Sequence, residues 1–200
     1  MRIIVIGATG TIGGAVADAL AVGHDVVRAS RRGPVQVDMD DPASIDSLFA
    51  ATPDVDAVVC CAASGRLTRL DDPSDERFLC GLQGKLLGQV HLVRRAIGHL
   101  RDGGSITLTN GTSRVSAPGM AFGALVNAGL AGFVAAAAPE MPRQIRVNSV
   151  SPGWVSETLV RMGLPGSGGV PVCDVARAYV DLVEGKAQGQ VVEPAGAPSA

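Results

Sequence analysis

The first twenty residues constrain this chain more than any other stretch. An apolar run, Ile3-Ile4-Val5-Ile6, breaks at once into Gly7-Ala8-Thr9-Gly10-Thr11-Ile12-Gly13, and Ala15-Val16-Ala17-Asp18-Ala19-Leu20 follows. β-Branched residues favour extended backbone and alanine and leucine favour helix, so the segment reads as strand, glycine turn, helix. That order brings unpaired amides and the positive end of a helix dipole to the carboxyl end of a strand, where an anion is held without any basic side chain. Gly7 permits the tight turn, Gly10 the close approach of a phosphate, and Gly13 the contact of helix on strand.

The rest of the chain repeats the alternation. Strands are predicted at 2–6, 25–29, 35–37, 56–61, 104–109, 145–150 and 189–193, and helices at 12–22, 43–51, 74–99, 121–139 and 172–184. Gly33-Pro34, Asp102-Gly103-Gly104 and residues 165–169 read as turns or loops, and 193–200 as a tail. Strands alternating with longer helices imply an α/β fold with a doubly wound parallel sheet of about seven strands. Two hundred residues are expected to form one Rossmann domain over 1–200. With 46% hydrophobic but only 3% aromatic residues, the interior must be filled by Ala, Val, Leu and Ile.

Charge narrows the partners. A net charge of -2 and the lack of a basic run argue against nucleic acid or an anionic membrane, leaving a small molecule. The N-terminal apolar run is too short for a signal-peptide core, and no stretch reads as the ~18 apolar residues of a membrane helix, so a cytoplasmic protein is expected. Cys60, Cys61, Cys80 and Cys173 fit reduced thiols of such a compartment. His24, His91 and His99 gather with no other ligand type, so no metal site is expected.

The second strand points to the anion's owner. A dinucleotide with a free ribose usually meets an Asp or Glu at this strand end, and one with a 2′-phosphate meets Arg. Here the chain runs Val27-Arg28-Ala29-Ser30-Arg31-Arg32 without an acid. Ser30 and Arg31 are therefore read as 2′-phosphate ligands of NADP(H), NAD(H) being the lesser alternative; the other reading is a solvated Arg31-Arg32 turn.

With these residues the chain resembles the short-chain dehydrogenase/reductase family. The turn GATGTIG is similar to that family's glycine motif, with Thr9, Thr11 and Ile12 between the glycines. Asp38-Met39 resembles its adenine-holding pair, and Cys60-Cys61-Ala62-Ala63 stands where the family has Asn-Asn-Ala-Gly. Arg146-Val147-Asn148-Ser149-Val150-Ser151-Pro152-Gly153-Trp154-Val155 is similar to its R-V-N-x-V-x-P-G-x-V. The resemblance implies the strand order 3-2-1-4-5-6-7. It also implies cofactor contacts by Cys61, Ala62, Ala63, Pro152, Gly153, Trp154, Val155 and Thr158, and pairing into a homodimer or homotetramer through the helices around 74–99 and 121–139.

The catalytic positions depart from the family. Its members carry a Ser after the fifth strand, Tyr-x-x-x-Lys on the next helix and an Asn on the helix before. The match puts Gly123 at the Tyr position and Asn127 at the Lys position; a shift by one gives Phe122 and Val126. Lys85-Leu86-Leu87-Gly88 matches the family's Asn-Leu-Lys-Gly, so Lys85 replaces the Asn. The two polar residues have exchanged places. Lys85, Asn110, Thr112 and Asn127 are the candidate catalytic residues, with Ser113 beside them and Asn127 also a cofactor contact, while Lys85 as a surface lysine is the other reading. The only tyrosine, Tyr179, reads as packing. Only about seventeen residues, 155–171, are left for a substrate lid, which implies an open pocket or one completed by another subunit. Three functions stay open: an NADP(H)-dependent oxidoreductase acting on a small carbonyl or alcohol, a non-catalytic NADP(H) sensor, and a non-redox enzyme on the same scaffold.

Overall fold

The computed structural model describes residues 1–62, 67–112 and 118–194. β1 (Arg2–Ile6) is an interior strand of a seven-stranded, all-parallel sheet with order β3-β2-β1-β4-β5-β6-β7. Its neighbours are β2 (Asp25–Ser30) and β4 (Val55–Cys60); beyond them lie β3 (Val35–Gln36) on one side and β5 (Leu100–Thr109), β6 (Arg146–Val150) and β7 (Val191–Val192) on the other. The expected architecture and strand order are those observed.

β1 is apolar at every position from Ile3 to Ile6 because both faces of the sheet are covered. Ile4 and Ile6 join the core under α2 (Pro42–Ala51), α4 (Gly88–Ala96) and α5 (Ala121–Ala137), packing with Ile45, Phe49, Leu92 and Leu130. Ile3 and Val5 point the other way, to α1 (Thr11–Leu20) and α7 (Val172–Glu184), among Val16, Leu20, Tyr179 and Leu182. The period-two alternation of a strand thus supplies two cores.

Three predicted elements differ. The single helix over 74–99 is broken into α3 (Asp75–Phe78), a π-helical stretch Leu82–Leu87, and α4. Ser74 caps α3 by accepting from the Arg77 amide, and Gly81, at φ 98°, takes a left-handed conformation just before the π-helical stretch. The chain restarts close to β3, where a Cβ on Gly88 would stand 2.3 Å from the Met39 carbonyl oxygen. β5 begins at Leu100, so Asp102-Gly103-Gly104 lies inside a strand. Val55 pairs with Leu100 and Ala57 with Ser105, and the extra residues bulge around Gly103, whose amide donates to the Arg143 carbonyl. β7 is only Val191–Val192.

The segment 155–171 forms a small docked lid. It contains α6 (Ser156–Arg161) and a 3₁₀ turn at Gly166–Gly168, and a bridge between Val155 and Val170 closes its base. Its own Val155 and Leu159 are buried. Among the described residues one helical stretch, Ala121–Glu140, is apolar and long enough to cross a membrane, with mean hydropathy 1.7. Phe122, Val126, Leu130 and Val134, four apart, put one of its faces on the sheet, while Leu125 is exposed.

Cys60 is fully buried, and burial pushes its thiol up to about 12. The thiolate is the reactive form, so iodoacetamide at pH 8 should leave Cys60 unmodified in the native protein and label the exposed Cys173, as read by intact-protein and peptide mass spectrometry. Prompt labelling of Cys60 would show that β4 is not packed as described.

Candidate functional site

The sheet reverses its winding between β1 and β4, and the crevice at that switch point opens above the carboxyl ends of β1, β2 and β4. A cavity of about 400 Å³ lies there. Gly7, Thr9 and Gly10 form one wall, Ser30, Arg31 and Arg32 the second, and Val37, Asp38, Met39 and Asp40 the third, with Cys61, Ala62 and Gly84 completing it.

The glycine turn is shaped by close contact. Gly7 has φ 83°, and a Cβ on Gly13 would stand 2.1 Å from the Gly7 carbonyl oxygen, so the first turn of α1 rests directly on the end of β1. The first amides of a helix have no intrahelical acceptor. Here Gly10 caps α1 without a side chain and no acid stands in the first turn, so those amides and the dipole remain for a ligand. Ile12 packs toward the second core, and the Thr11 hydroxyl accepts from the Arg161 guanidinium.

At the end of β2, Ser30 is 6% exposed and its Oγ is buried without a hydrogen-bond partner, although it lines the cavity. An orphan hydroxyl of this kind costs free energy unless something meets it. Arg31 and Arg32 stand beside it, and among the described residues neither has a carboxylate partner. On the third wall the Asp38 amide donates to Ser44 Oγ at 2.9 Å, and the Asp38 carboxylate accepts from the Asp40 amide at 3.1 Å, which fixes the loop that presents Asp38 and Met39.

A second group of polar residues gathers where the π-helical stretch, β5 and α5 meet. Lys85 Nζ donates to Asn127 Oδ1 at 2.8 Å, joining the two residues across 42 positions of sequence. Lys85 is half-buried, and the loss of water lowers its pKa from the ordinary lysine value. Asn110 Nδ2 donates to the Asn127 carbonyl at 3.5 Å, while its own Oδ1 is buried without a partner. The Thr112 amide donates to the Pro152 carbonyl at 3.3 Å, bringing the β5 loop against Pro152-Gly153.

Gln89 holds this group together. It is fully buried; its Nε2 donates to the carbonyls of Lys85 at 2.7 Å and Thr109 at 2.9 Å, and its Oε1 accepts from the Thr109 amide at 2.8 Å. The turn carrying Lys85 is therefore tied to the end of β5, next to Asn110. The lone tyrosine is elsewhere: Tyr179 is buried between α7 and the sheet, with its hydroxyl 2.6 Å from Thr109 Oγ1, which donates to the Cys60 carbonyl. Burial raises its pKa well above the phenol range, which does not suit proton transfer at the crevice.

The crevice thus brings together Gly7, Thr9, Gly10, Ser30, Arg31, Asp38, Met39, Cys61 and Ala62. Ala63 and Ser113 lie outside the described residues. Pro152, Gly153, Trp154, Val155 and Thr158 do not line this cavity; Val155 is packed in the second core, Trp154 is exposed and Thr158 stands half-buried on α6. Sequence reasoning passed over Arg32, Asp40, Gly84 and Gln89. The signals were the doubled arginine, the Gly84-x-x-x-Gly88 spacing and a glutamine on the apolar side of α4. Among the described residues no three His, Cys, Asp or Glu side chains gather as for a metal ion.

Known proteins agree with this geometry. The family model described as enoyl-(acyl carrier protein) reductase matches residues 9–179. The chain is a member of the short-chain dehydrogenase/reductase family. Among solved structures, lin1944 from Listeria innocua is 34% identical over 96% of this chain and 98% of its own, with a TM-score of 0.90. A short-chain dehydrogenase from Burkholderia cenocepacia J2315, solved in complex with NADP, is 25% identical over 98% of this chain and 96% of its own, with a TM-score of 0.84. A small-chain dehydrogenase solved with NADPH shares the fold, at 24% identity over 96% of this chain and 95% of its own and a TM-score of 0.83. No curated protein matches the chain.

Replacing Gln89 by Leu would leave the buried Thr109 amide without its acceptor and take a donor from two carbonyls, at about 1–3 kcal/mol for an unsatisfied group. Gln89→Leu should therefore lower the free energy of unfolding by about 3 kcal/mol, read from urea midpoints with an unchanged slope. A loss below about 0.5 kcal/mol would mean that the bonds are replaced by water.

Proposed function

We propose that the protein binds NADP(H) in this crevice and works as an oxidoreductase on a small carbonyl or alcohol, with Lys85 managing the proton at the substrate oxygen. One observation carries the cofactor choice: the orphan hydroxyl of Ser30, a residue that lines the cavity beside two arginines that no carboxylate pairs among the described residues. A 2′-phosphate would accept from Ser30 and pair with Arg31 and Arg32. The neighbours solved with NADP and NADPH support the same reading.

The remaining contacts follow from the site. The amides that open α1 would hold the diphosphate, and Asp38 with Met39 would border the adenine, as the resemblance implies. The nicotinamide ring would supply or accept the hydride. The chain's own task is then to orient the substrate and move a proton. Lys85, desolvated and held by Asn127, is the strongest candidate donor, and Asn110 and Thr112 would accept from or donate to the substrate oxygen. The sensor reading has its own support: a Cβ on Gly123, at the family's tyrosine position, would meet nothing within 4 Å, so no neighbouring atom fills that space. We further propose that the whole chain acts as one domain in the cytoplasm and pairs through the Ala-rich face of α5 and the adjoining α4.

Arg31→Asp should weaken NADPH by roughly 10- to 100-fold, the worth of one or two charge-assisted bonds, and NADH by less than about threefold. Fluorescence titration reads both, and equal losses would remove the phosphate contact. With an active carbonyl substrate, Lys85→Ala should lower kcat by about 10²–10³-fold. A proton donor works only when protonated, so the wild-type rate should fall as pH rises through the Lys85 pKa, and burial places that limb below the ordinary lysine range. The limb should vanish in Lys85→Ala. Tight NADPH binding without turnover across a carbonyl screen would favour the sensor.

A further inference from the structure

The lid carries a cation that its own surroundings do not explain. Arg161 closes α6, and its exposed guanidinium reaches across 150 positions of sequence to the Thr11 hydroxyl in the first turn of α1. A positive charge at a helix N-terminus meets the positive end of the dipole, an arrangement that opposes stability unless an anion lies between them. None is supplied by the protein. Among the described residues no carboxylate pairs with Arg161, whereas Arg28, Arg69, Arg77, Arg95, Arg101 and Arg143 each meet an Asp at 2.6 to 3.2 Å. The natural i,i+4 partner, Glu157, is turned away, its carboxylate accepting from the Val172 amide at 3.0 Å.

Other features of the lid fix where Arg161 is. The Val155–Val170 bridge and the buried Leu159 hold α6 on the protein, so the guanidinium is delivered to the first turn of α1 by a docked element. The contact is in the uncapped first turn of α1, and at the far side of the adjoining cavity the Ser30 hydroxyl has no hydrogen-bond partner, so both ends of the crevice leave polar groups for a ligand.

We infer that Arg161 is a lid-borne clamp for the diphosphate of the dinucleotide, exchanging the Thr11 hydroxyl for a phosphate oxygen when the cofactor binds. The inference rests on the dinucleotide reading above and adds to it a residue from the opposite end of the fold. Neutralising the diphosphate from the lid side gives the cofactor a second, charge-assisted contact that the glycine turn, which has no basic side chain, does not provide.

The test separates the two readings by ligand. NADPH carries the diphosphate, and adenosine 2′-monophosphate (2′-AMP) carries only the adenosine and the 2′-phosphate. Wild-type protein should bind both in calorimetric or fluorescence titrations. Arg161→Gln should weaken NADPH by about 10- to 100-fold, leaving 2′-AMP within twofold, and Arg161→Lys should recover part of the loss. NADPH affinity within twofold of wild type in Arg161→Gln would overturn the clamp. Equal weakening of both ligands would also overturn it, since the residue would then act through the fold. Wild-type protein that binds neither ligand would overturn the dinucleotide reading and the clamp with it.

Discussion

Everything in the crevice depends on the contact between the start of α1 and the end of β1. Gly13 lies so close to the Gly7 carbonyl that no side chain fits between them, and this closeness holds a row of unpaired amides at the sheet's switch point. The strand is held in turn by two cores, because Ile4 and Ile6 face one helical layer and Ile3 and Val5 the other. A site made of backbone amides is only as well ordered as the backbone, so the buried apolar strand and the anion site are one design.

The second group of residues shows the same dependence on a buried tie. Lys85 sits on a π-helical stretch, a rare conformation that is frequent at functional sites, and Gln89 fastens that stretch to β5. The consequence is that Lys85 and Asn127, which the resemblance puts at each other's place in the family pattern, meet at 2.8 Å. In the proposed reaction this exchange keeps an ammonium near the family's catalytic position while changing the helix from which it comes. The phenol has no such replacement, since Tyr179 is spent on packing and on its bond to Thr109.

Much of the fold was legible because its signals are local. Alternating short β-branched runs and Ala-rich segments mark a parallel sheet between helices, and the glycine turn marks where the first helix starts. The long helix expected over 74–99 failed because its apolar spacing survives the break: Gly81 changes the backbone's sign and Gly88 approaches Met39, and neither event alters the pattern of hydrophobic residues. The early start of β5 was hidden in the same way, by a bulge at Gly103 that reads as a turn. The contacts that Gln89 and Arg161 make were beyond reach for a different reason. Their partners lie 20 and 150 positions away, and only the folded chain brings them together. Arg32 and Gly84, in contrast, were visible as a doubled arginine and a glycine spacing, and were passed over.

The central claim is that the amides opening α1 hold the diphosphate of an NADP-type dinucleotide. A crystal structure of the protein soaked in millimolar NADPH tests it most directly. Diphosphate oxygens should lie within hydrogen-bond distance of amides in residues 9–13, with the 2′-phosphate at Ser30. Density for the dinucleotide elsewhere on the molecule, or a crevice that stays empty at saturating NADPH, would contradict it.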